Sequence, residues 1–278
     1  FEKYVAAKRE IVRALERSPK KKRILVANEE IPESREFLAV RVSQAIGFRT
    51  QELQKLEATD EKVSFDYQHT SVTVPLPGVF NALNALAAMK LCEAFGVSLA
   101  DAAEALGSLS LIPGRVERIN VGQDFMVIVD YAHTPDSLAA LYGAFPNHRK
   151  ICVLGNTGGG RDAWKRAEMG RIAEKECDEV ILTNEDPYDE NPRAIVQAMA
   201  RAMARAPLII MDRREAIRSA LARAKKDTVV LISGKGTDPF IMGSHGTKIP
   251  WSDATVAREE LEKVLSEKKK TTPAKIVL

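Results

Sequence analysis

The residues best able to do chemistry in this chain of 278 residues follow directly after an apolar run. Residues 125–129 are typical of a buried strand, and Asp130, Tyr131 and His133 come immediately after it. Pro135 then takes the backbone into a loop. In an open α/β sheet, ligands bind in the crevice beyond the carboxyl ends of the strands. An aspartate and a histidine at that place can hold a ribose hydroxyl, a base or a phosphate.

A glycine-rich segment follows the second apolar run, residues 151–154. Residues 155–162 read Gly-Asn-Thr-Gly-Gly-Gly-Arg-Asp, and a predicted helix with Lys165 and Arg166 comes next. Glycines let a backbone approach a ligand closely, and the start of a helix favours an anion. Arg161 and Arg166 can each pair in a bidentate manner with a carboxylate or a phosphate. The pattern matches neither a Walker loop nor a dinucleotide fingerprint, so an ordinary strand-to-helix turn stays open.

An acidic segment follows the third apolar run, residues 180–183. Glu185 and Asp186 come directly after it, and Asp189 and Glu190 are close behind. Four carboxylates in six residues repel one another unless a cation or an amine-bearing ligand is near. We therefore expect Glu185 and Asp186 to contact a substrate. Asp189 and Glu190 are explained equally well by the positive end of the helix that follows.

Three weaker signals lie elsewhere in the chain. Gly234 and Asp238 belong to a lysine-containing glycine loop after the last apolar run, which an ordinary turn also explains. Arg115 lies at the predicted junction of two domains and either contacts a ligand or pairs with the nearby Glu117. Asn81 and Asn84 lie near the start of an apolar helix. We expect one of these amides to cap that helix and the other to contact a base.

Composition and charge exclude several classes of function. The net charge of +3 gives no case for a nucleic-acid partner, and no apolar stretch or signal peptide indicates membrane insertion. Cys92, Cys152 and Cys177 lack the spacing of metal ligands. We expect all three to be reduced thiols in a cytosolic protein.

The predicted order of helices and strands changes near residues 110–115. Before that point we predict a mixed segment with helices over 1–18, 34–46, 79–95 and from 98 onward, a strand over 24–27, and a hairpin over 63–67 and 71–74. After it, apolar strands and helices alternate strictly. Continuous apolar strands separated by helices predict a mostly parallel, doubly wound sheet. The sequence therefore predicts two α/β domains, residues 1–112 and 113–278.

Taken in order, these segments resemble the Mur ligase family, in particular the branch that adds the third amino acid to UDP-N-acetylmuramoyl-dipeptide. The segments that carry the resemblance are residues 4–8, 77–88, 113–117, 130–136, 158–169, 186–187, 234–236 and 256–258. The resemblance implies the end of a central ATP-binding domain over 1–112. It implies a Rossmann-like, amino-acid-binding C-terminal domain over 113–278.

The chemistry implied by the resemblance is ATP- and Mg²⁺-dependent amide formation in the cytoplasm, within peptidoglycan precursor synthesis. A carboxylate of UDP-N-acetylmuramoyl-dipeptide becomes an acyl phosphate, and the amine of a diamino acid displaces the phosphate. By the same resemblance, Lys8 is carbamylated and helps to hold Mg²⁺. The implied nucleotide contacts are Asn84, Arg115, Asp130 and His133. The implied amino-acid contacts are Arg161, Glu185, Asp186, Pro187, Tyr188, Gly234 and Asp238.

The sequence also departs from the family pattern. Family members that add diaminopimelate read Asp-Asn-Pro-Arg where residues 185–188 read Glu-Asp-Pro-Tyr, so lysine, ornithine or another diamino acid stays open as the acceptor. A cyanophycin or folylpolyglutamate synthetase and a non-catalytic Mur-like binding module stay open as alternatives. We expect the family's phosphate-binding loop and UDP-binding domain to precede Lys8, outside this sequence. We therefore expect this chain by itself to lack ligase activity.

Overall fold

The computed structural model describes residues 2–160 and 162–271. The chain divides into two compact units, Phe1–Ser110 and Leu111–Leu278. Within the described ranges, none of the helices combines the length and the apolar character needed to cross a bilayer.

The first unit packs helices against two small sheets. Its helices are α1 (Glu2–Arg17), α2 (Ser34–Leu38), α3 (Val79–Ala94) and α4 (Leu99–Gly107). Its strands are β1 (Ile24–Asn28), β2 (Gln44–Phe48), β3 (Gln54–Ala58), β4 (Val63–Tyr67) and β5 (Thr70–Val74). β1 and β2 pair in parallel, and β3, β4 and β5 form an antiparallel sheet in that order. Alternate apolar residues of β4 and β5 pack with apolar residues of α3 in one core, as the alternating pattern of the predicted hairpin requires.

The prediction of one helix over residues 34–46 is wrong. α2 ends at Leu38, and residues from Gln44 onward form β2, which pairs with β1 from Ile24 to Asn28. Val40 and Val42 have low helix propensity. The ladder with β1 satisfies the backbone hydrogen bonds that a longer helix would have made.

The second unit is built around a six-stranded sheet. Its strands are β6 (Glu117–Arg118), β7 (Met126–Asp130), β8 (Arg149–Leu154), β9 (Glu179–Leu182), β10 (Leu208–Ile209) and β11 (Thr228–Ser233), with a separate hairpin of β12 (Phe240–Met242) and β13 (Lys248–Pro250). Its helices are α5 (Pro135–Gly143), α6 (Trp164–Glu176), α7 (Pro192–Ala200), α8 (Arg213–Arg223) and α9 (Asp253–Thr271).

The strand order in this sheet is β10-β9-β8-β11-β7-β6. β7 to β11 run in parallel, and β6 joins the edge in the antiparallel direction. Apolar side chains of the central strands, α8 and α9 form one buried cluster. The predicted mostly parallel, doubly wound sheet is confirmed.

The cysteines differ from the sequence-based expectation. Cys152 in β8 and Cys177, the residue after α6, form a disulfide with a Cα–Cα distance of 6.2 Å, whereas Cys92 is free. The expectation of a reduced thiol is therefore wrong for Cys152 and Cys177. The two residues are 25 positions apart. Packing of α6 on the sheet brings them into bonding geometry, which their spacing in the sequence does not reveal.

Candidate functional site

The polar segments singled out in the second half of the sequence meet at one edge of the sheet in the second unit. β7, β8, β9 and β11 run in parallel, so their carboxyl ends lie on the same side. The Asp130 segment, the glycine loop, the acidic loop and the Gly234 loop follow these four strands in chain order. This is the place where open α/β sheets bind ligands.

Asp130 organises the first of these segments. Its Oδ2 accepts a hydrogen bond from the backbone N–H of Val116 at 2.7 Å, and its Oδ1 accepts one from Ala132 at 2.7 Å. Burial raises the pKa of the Asp130 carboxyl, and the two amide hydrogen bonds act in the opposite direction. The carboxylate thereby fixes the loop around Val116 against the end of β7.

Arg115 and His133 both lie beside Tyr131, the residue that follows Asp130. The guanidinium of Arg115 lies 5.2 Å from the ring centroid of Tyr131, whose backbone N–H donates to Gly114. His133 Nδ1 lies 2.7 Å from the carbonyl oxygen of Tyr131. Because a carbonyl oxygen accepts only, Nδ1 carries the proton in this arrangement. The structure therefore clusters three of the four predicted nucleotide contacts.

Lys165 connects this cluster to the helix that follows the glycine loop. Its side chain is buried, and Nζ donates to the carbonyl oxygen of His133 at 3.2 Å. Sequence reasoning gave Lys165 no role beyond the start of a helix. In the sequence, a lysine in the first turn of a helix resembles an ordinary surface residue. Its burial, which points to a role at the site, is visible only in the structure.

Glu185 is enclosed by residues of two other loops, the glycine loop and the Gly234 loop. Thr157 Oγ1 donates to Glu185 Oε1 at 2.9 Å. A Cβ built on Gly234 would lie 2.2 Å from Glu185 Oε2, and one built on Gly155 would lie 2.7 Å from Glu185 Cβ. Both glycines are therefore needed for the carboxylate to occupy its position. Burial raises the pKa of Glu185.

Asp186 is paired within the protein. Both of its carboxylate oxygens accept from Lys235 Nζ, at 2.8 and 2.7 Å, and Oδ1 also accepts from the backbone N–H of Met242 at 2.8 Å. Lys235 Nζ further contacts Asp238 Oδ2 at 3.4 Å. Lys235 is buried, so the ion pair joins the acidic loop to the Gly234 loop.

The other acids of the segment also have partners in the chain. Glu190 forms an ion pair with Arg166 at 2.9 Å and accepts from the backbone N–H of Gly160 at 2.7 Å. The Gly160 hydrogen bond and Arg166 lower the pKa of Glu190. Asp189 accepts from the backbone N–H of His245. The protein therefore supplies a cation for two of the four carboxylates, Lys235 for Asp186 and Arg166 for Glu190.

The glycine loop packs directly on Pro187 and Tyr188. The N–H of Gly158 donates to the carbonyl oxygen of Asp186 at 2.7 Å, and a Cβ on Gly158 would lie 2.2 Å from the carbonyl oxygen of Pro187. A Cβ on Gly159 would lie 3.2 Å from the Tyr188 ring. The two loops thus form one surface. Arg161, the predicted carboxylate-binding residue, lies outside the described residues.

Lys8 and Asn84 belong to the first unit. Lys8 is exposed on α1, with Nζ 5.3 Å from the ring centroid of Tyr4. Asn84 is exposed on α3, and its Nδ2 lies 3.4 Å from Asn81 Oδ1.

The expectation that Asn81 or Asn84 caps α3 is wrong. Gly78 is the N-cap residue, and the buried Asn81 side chain instead donates to the carbonyl oxygen of Pro77. Among the described residues, no group of three or more His, Cys, Asp or Glu side chains has the geometry of a metal site.

Comparison with known proteins gives consistent matches to both units. Residues 1–92 match the family model of the Mur ligase middle domain, and residues 114–236 match that of the Mur ligase glutamate ligase domain. A UDP-N-acetylmuramoyl-L-alanyl-D-glutamate–2,6-diaminopimelate ligase of Chlorobaculum tepidum is 40% identical over 220 residues, which are 77% of this chain and 42% of the relative. A UDP-N-acetylmuramyl-tripeptide synthetase of Roseiflexus is 36% identical over 264 residues, 87% of this chain and 51% of the relative.

A solved structure of a UDP-N-acetylmuramoyl-L-alanyl-D-glutamate–2,6-diaminopimelate ligase has a similar fold. The TM-score is 0.55 at 26% identity, over 94% of this chain and 56% of that protein. The chain thus spans about half the length of the relatives that it matches. Two family models in the expected order and relatives that align with most of the chain agree with one another. The chain therefore belongs to the Mur ligase family.

Proposed function

We propose that this chain is part of an ATP-dependent, ADP-forming ligase that joins a diamino acid to UDP-N-acetylmuramoyl-dipeptide in peptidoglycan precursor synthesis. The observation that carries the proposal is the meeting of two sets of residues at one edge of the second unit's sheet. Arg115, Asp130 and His133 form one set, and the loop of residues 185–188 with Gly234 forms the other. The names of the two relatives agree with this reaction.

The proposal assigns the two units different tasks. The first unit would supply the end of the ATP-binding domain, with Asn84 as a nucleotide contact and Lys8 as a carbamate beside Mg²⁺. The second unit would bind the incoming amino acid. ATP would supply the phosphoryl group that activates the substrate carboxylate, and Mg²⁺ would neutralise charge on that group.

The Asp130 cluster fits the sugar and base of a nucleotide. Each oxygen of the Asp130 carboxylate accepts one backbone hydrogen bond, so each has a further lone pair for a ribose hydroxyl. The Arg115 guanidinium and the Tyr131 ring offer a cation and an aromatic face beside it. His133, with the proton on Nδ1, presents Nε2 as an acceptor.

The loop of residues 185–188 would hold the acceptor amino acid. Glu185 and Asp186 are both buried, but Asp186 is paired with Lys235 and would act by fixing the loop. Arg161, Pro187, Tyr188, Gly234 and Asp238 would complete the contacts. Tyr188 stands where diaminopimelate-adding relatives have an arginine, so the distal carboxylate of that acceptor would lose one cation.

A ligation assay on the natural gene product that carries this chain tests the proposal. UDP-N-acetylmuramoyl-dipeptide, ATP and Mg²⁺ are supplied with diaminopimelate, lysine or ornithine, and the tripeptide product is measured by mass together with ADP release. We expect turnover with at least one diamino acid. Turnover with a folate or with poly-aspartate, and none with the muramoyl dipeptide, would contradict the proposal.

Arg115→Ala tests the assignment of the nucleotide cluster. We expect the KM for ATP to rise roughly tenfold, because loss of a charged contact of about 1.4 kcal/mol has that effect. Arg149→Ala is the matched control, because Arg149 pairs with Glu179 at the opposite, amino-terminal end of the strands. An unchanged KM for ATP in Arg115→Ala would remove that residue from the site.

A cytoplasmic location is part of the same proposal, since the substrate is a nucleotide-linked precursor. The Cys152–Cys177 disulfide is uncommon for that compartment.

A further inference from the structure

A buried ion pair lies behind the loops that the proposed function uses. Arg213 is the first residue of α8 and Asp253 is the first of α9, and their side chains are 1% and 0% exposed. Arg213 donates in a bidentate manner, from Nε to Oδ1 at 2.8 Å and from Nη2 to Oδ2 at 2.6 Å. Trp251 Nε1 also donates to Asp253 Oδ1 at 2.7 Å. The carboxylate thus holds the guanidinium in one orientation.

The same guanidinium binds the backbone of two loops. Arg213 Nη2 donates to the carbonyl oxygen of Ser233 at 2.9 Å, and Nη1 donates to that of Asn184 at 3.3 Å. Ser233 directly precedes Gly234, and Asn184 directly precedes Glu185. Arg213 therefore joins the two chain segments immediately before two predicted amino-acid contacts.

The sheet does not make this connection by itself. β9 and β11 are not neighbours, because β8 lies between them in the strand order. No ladder hydrogen bonds therefore link the carboxyl ends of β9 and β11. The guanidinium spans the two ends from one side of the sheet.

The position of Glu185 depends on the distance between the carboxyl ends of β9 and β11. The site where a Gly234 Cβ would be built lies 2.2 Å from Glu185 Oε2, so the carboxylate rests against the glycine itself. A shift of a few tenths of an ångström between the two segments would move the carboxylate or open a gap beside it. A buried ion pair is often no more stabilising than apolar residues of similar size. Stability by itself therefore gives little reason for an arginine and an aspartate here.

We propose that Arg213, held by Asp253, is a positioning residue for the amino-acid site. It fixes the Glu185 and Gly234 segments relative to each other and so sets the affinity for the acceptor amino acid, without contacting that acceptor. This inference rests on the proposed ligase function.

Asp253→Asn in the natural gene product is the first test. We expect the KM for the acceptor amino acid to rise about tenfold or more, as expected for a weakened charged hydrogen-bond pair. The KM for ATP should rise less than the KM for the acceptor, because the Asp130 carboxylate is held by the backbone amides of Val116 and Ala132 and not by Arg213. Arg213→Lys should fall between this variant and the wild type, since lysine keeps the charge without the planar fork.

Arg214→Gln is the matched control. Arg214 is the next residue of α8 and pairs with Glu259 and Glu260 of α9 at 2.7 Å, but it is 37% exposed and has no hydrogen bond to either loop among those described. A general weakening of the α8–α9 packing would appear in this variant too. Equal losses of Tm in Asp253→Asn and Arg214→Gln, with an unchanged acceptor KM in both, would overturn the proposal.

A milder variant keeps the proposal testable if Asp253→Asn does not fold. Trp251→Phe replaces the indole with a smaller aromatic ring and removes one hydrogen bond to Asp253. We expect an acceptor KM about two- to fivefold higher, with ATP affinity unchanged. An unchanged acceptor KM in both Trp251→Phe and Arg213→Lys would contradict the proposal.

Hydrogen exchange separates this inference from the proposed function. Amides of residues 183–188 and 233–238 should exchange faster in Asp253→Asn or Trp251→Phe than in the wild type, and Arg214→Gln should leave them unchanged. A wild-type protein that turns over no diamino acid would contradict the ligase proposal. Unchanged exchange in these segments would overturn the positioning role whatever the reaction is.

Discussion

At the scale of single residues, the acidic loop contains two glutamates in opposite environments. Burial raises the pKa of Glu185, whereas the Gly160 amide and Arg166 lower that of Glu190. A raised pKa means that the folded state binds more protons than the unfolded state, so stability falls as pH rises above the ordinary glutamate value. A lowered pKa gives the reverse, a contribution present above the ordinary value and lost as the pH falls through the folded pKa.

We therefore expect Glu185→Gln to raise Tm at pH 7.5, and the gain to shrink as the pH falls toward 4.5. Glutamine keeps the acceptor for Thr157 and the size of the side chain. Glu190→Gln, its matched counterpart, should lower Tm at pH 7.5 and have little effect at acidic pH. Thermal unfolding across this pH range checks both signs. A Tm for Glu185→Gln below that of the wild type at pH 7.5 would show that the buried carboxylate is stabilised by its neighbours after all.

Gly234→Ala separates steric conflict from backbone strain. Gly234 has φ +111°, and its added Cβ would overlap Glu185 Oε2. We expect a loss of about 1–2 kcal/mol from the backbone and about 1–3 kcal/mol from overpacking. The control is Gly122→Ala, where φ is +96° and nothing lies within 4 Å, so the backbone cost applies by itself. Urea unfolding measures both, and equal losses would mean that Glu185 simply moves aside.

The sequence predicted which residues gather at the site better than it predicted their partners. Asp130 and His133 were identifiable because a polar pair directly after an apolar strand lies at the ligand-binding edge of the sheet in this fold class. The Lys235–Asp186 pair joins residues 49 positions apart and needs the tertiary structure to be seen. The contact of Asp186 with a substrate stays a prediction, and its partners Lys235 and the Met242 amide were not foreseen.

At the scale of elements, the disulfide closes a loop that contains the end of β8, the glycine loop and α6. The closed segment has a sequence separation of 25 residues, for which loop-closure entropy predicts a stabilisation of about 3.5 kcal/mol. We expect the double variant Cys152→Ala/Cys177→Ala to lose about that amount in urea unfolding under non-reducing conditions.

Cys92→Ala is the control for the disulfide variant, because Cys92 is free. Thiol titration of the denatured, unreduced protein should find one thiol per chain. Three thiols, together with an unchanged stability of the double variant under the same conditions, would mean that the bond does not form in the protein as isolated.

Element predictions succeeded where local pattern and tertiary packing agree. The hairpin of β4 and β5 follows from the strict alternation of apolar and polar residues. The start of α4 follows from Ser98, whose side chain caps the helix by accepting from the backbone N–H of Asp101. The helix predicted over residues 34–46 was wrong in its second half because pairing with β1 overrides a weak local preference. β6 has two residues, too few for a periodic signal.

At the scale of the whole molecule, alternation of strands and helices was enough to predict a parallel, doubly wound sheet. The strand order was not accessible in the same way, because it depends on which apolar faces pack together over long sequence distances. The insertion of β11 between β7 and β8 sets which loops become neighbours. The contacts of Glu185 with the loops that follow β8 and β11 depend on that order.

The disulfide also determines where the chain can be modified selectively. All three cysteines lie in described residues, and the two in the second unit are bonded to each other. Cys92, half-buried on α3, is then the one sulfhydryl among them that a maleimide could alkylate. A fluorophore attached there would report on the first unit, and the proposed amino-acid site in the second unit would stay free of label.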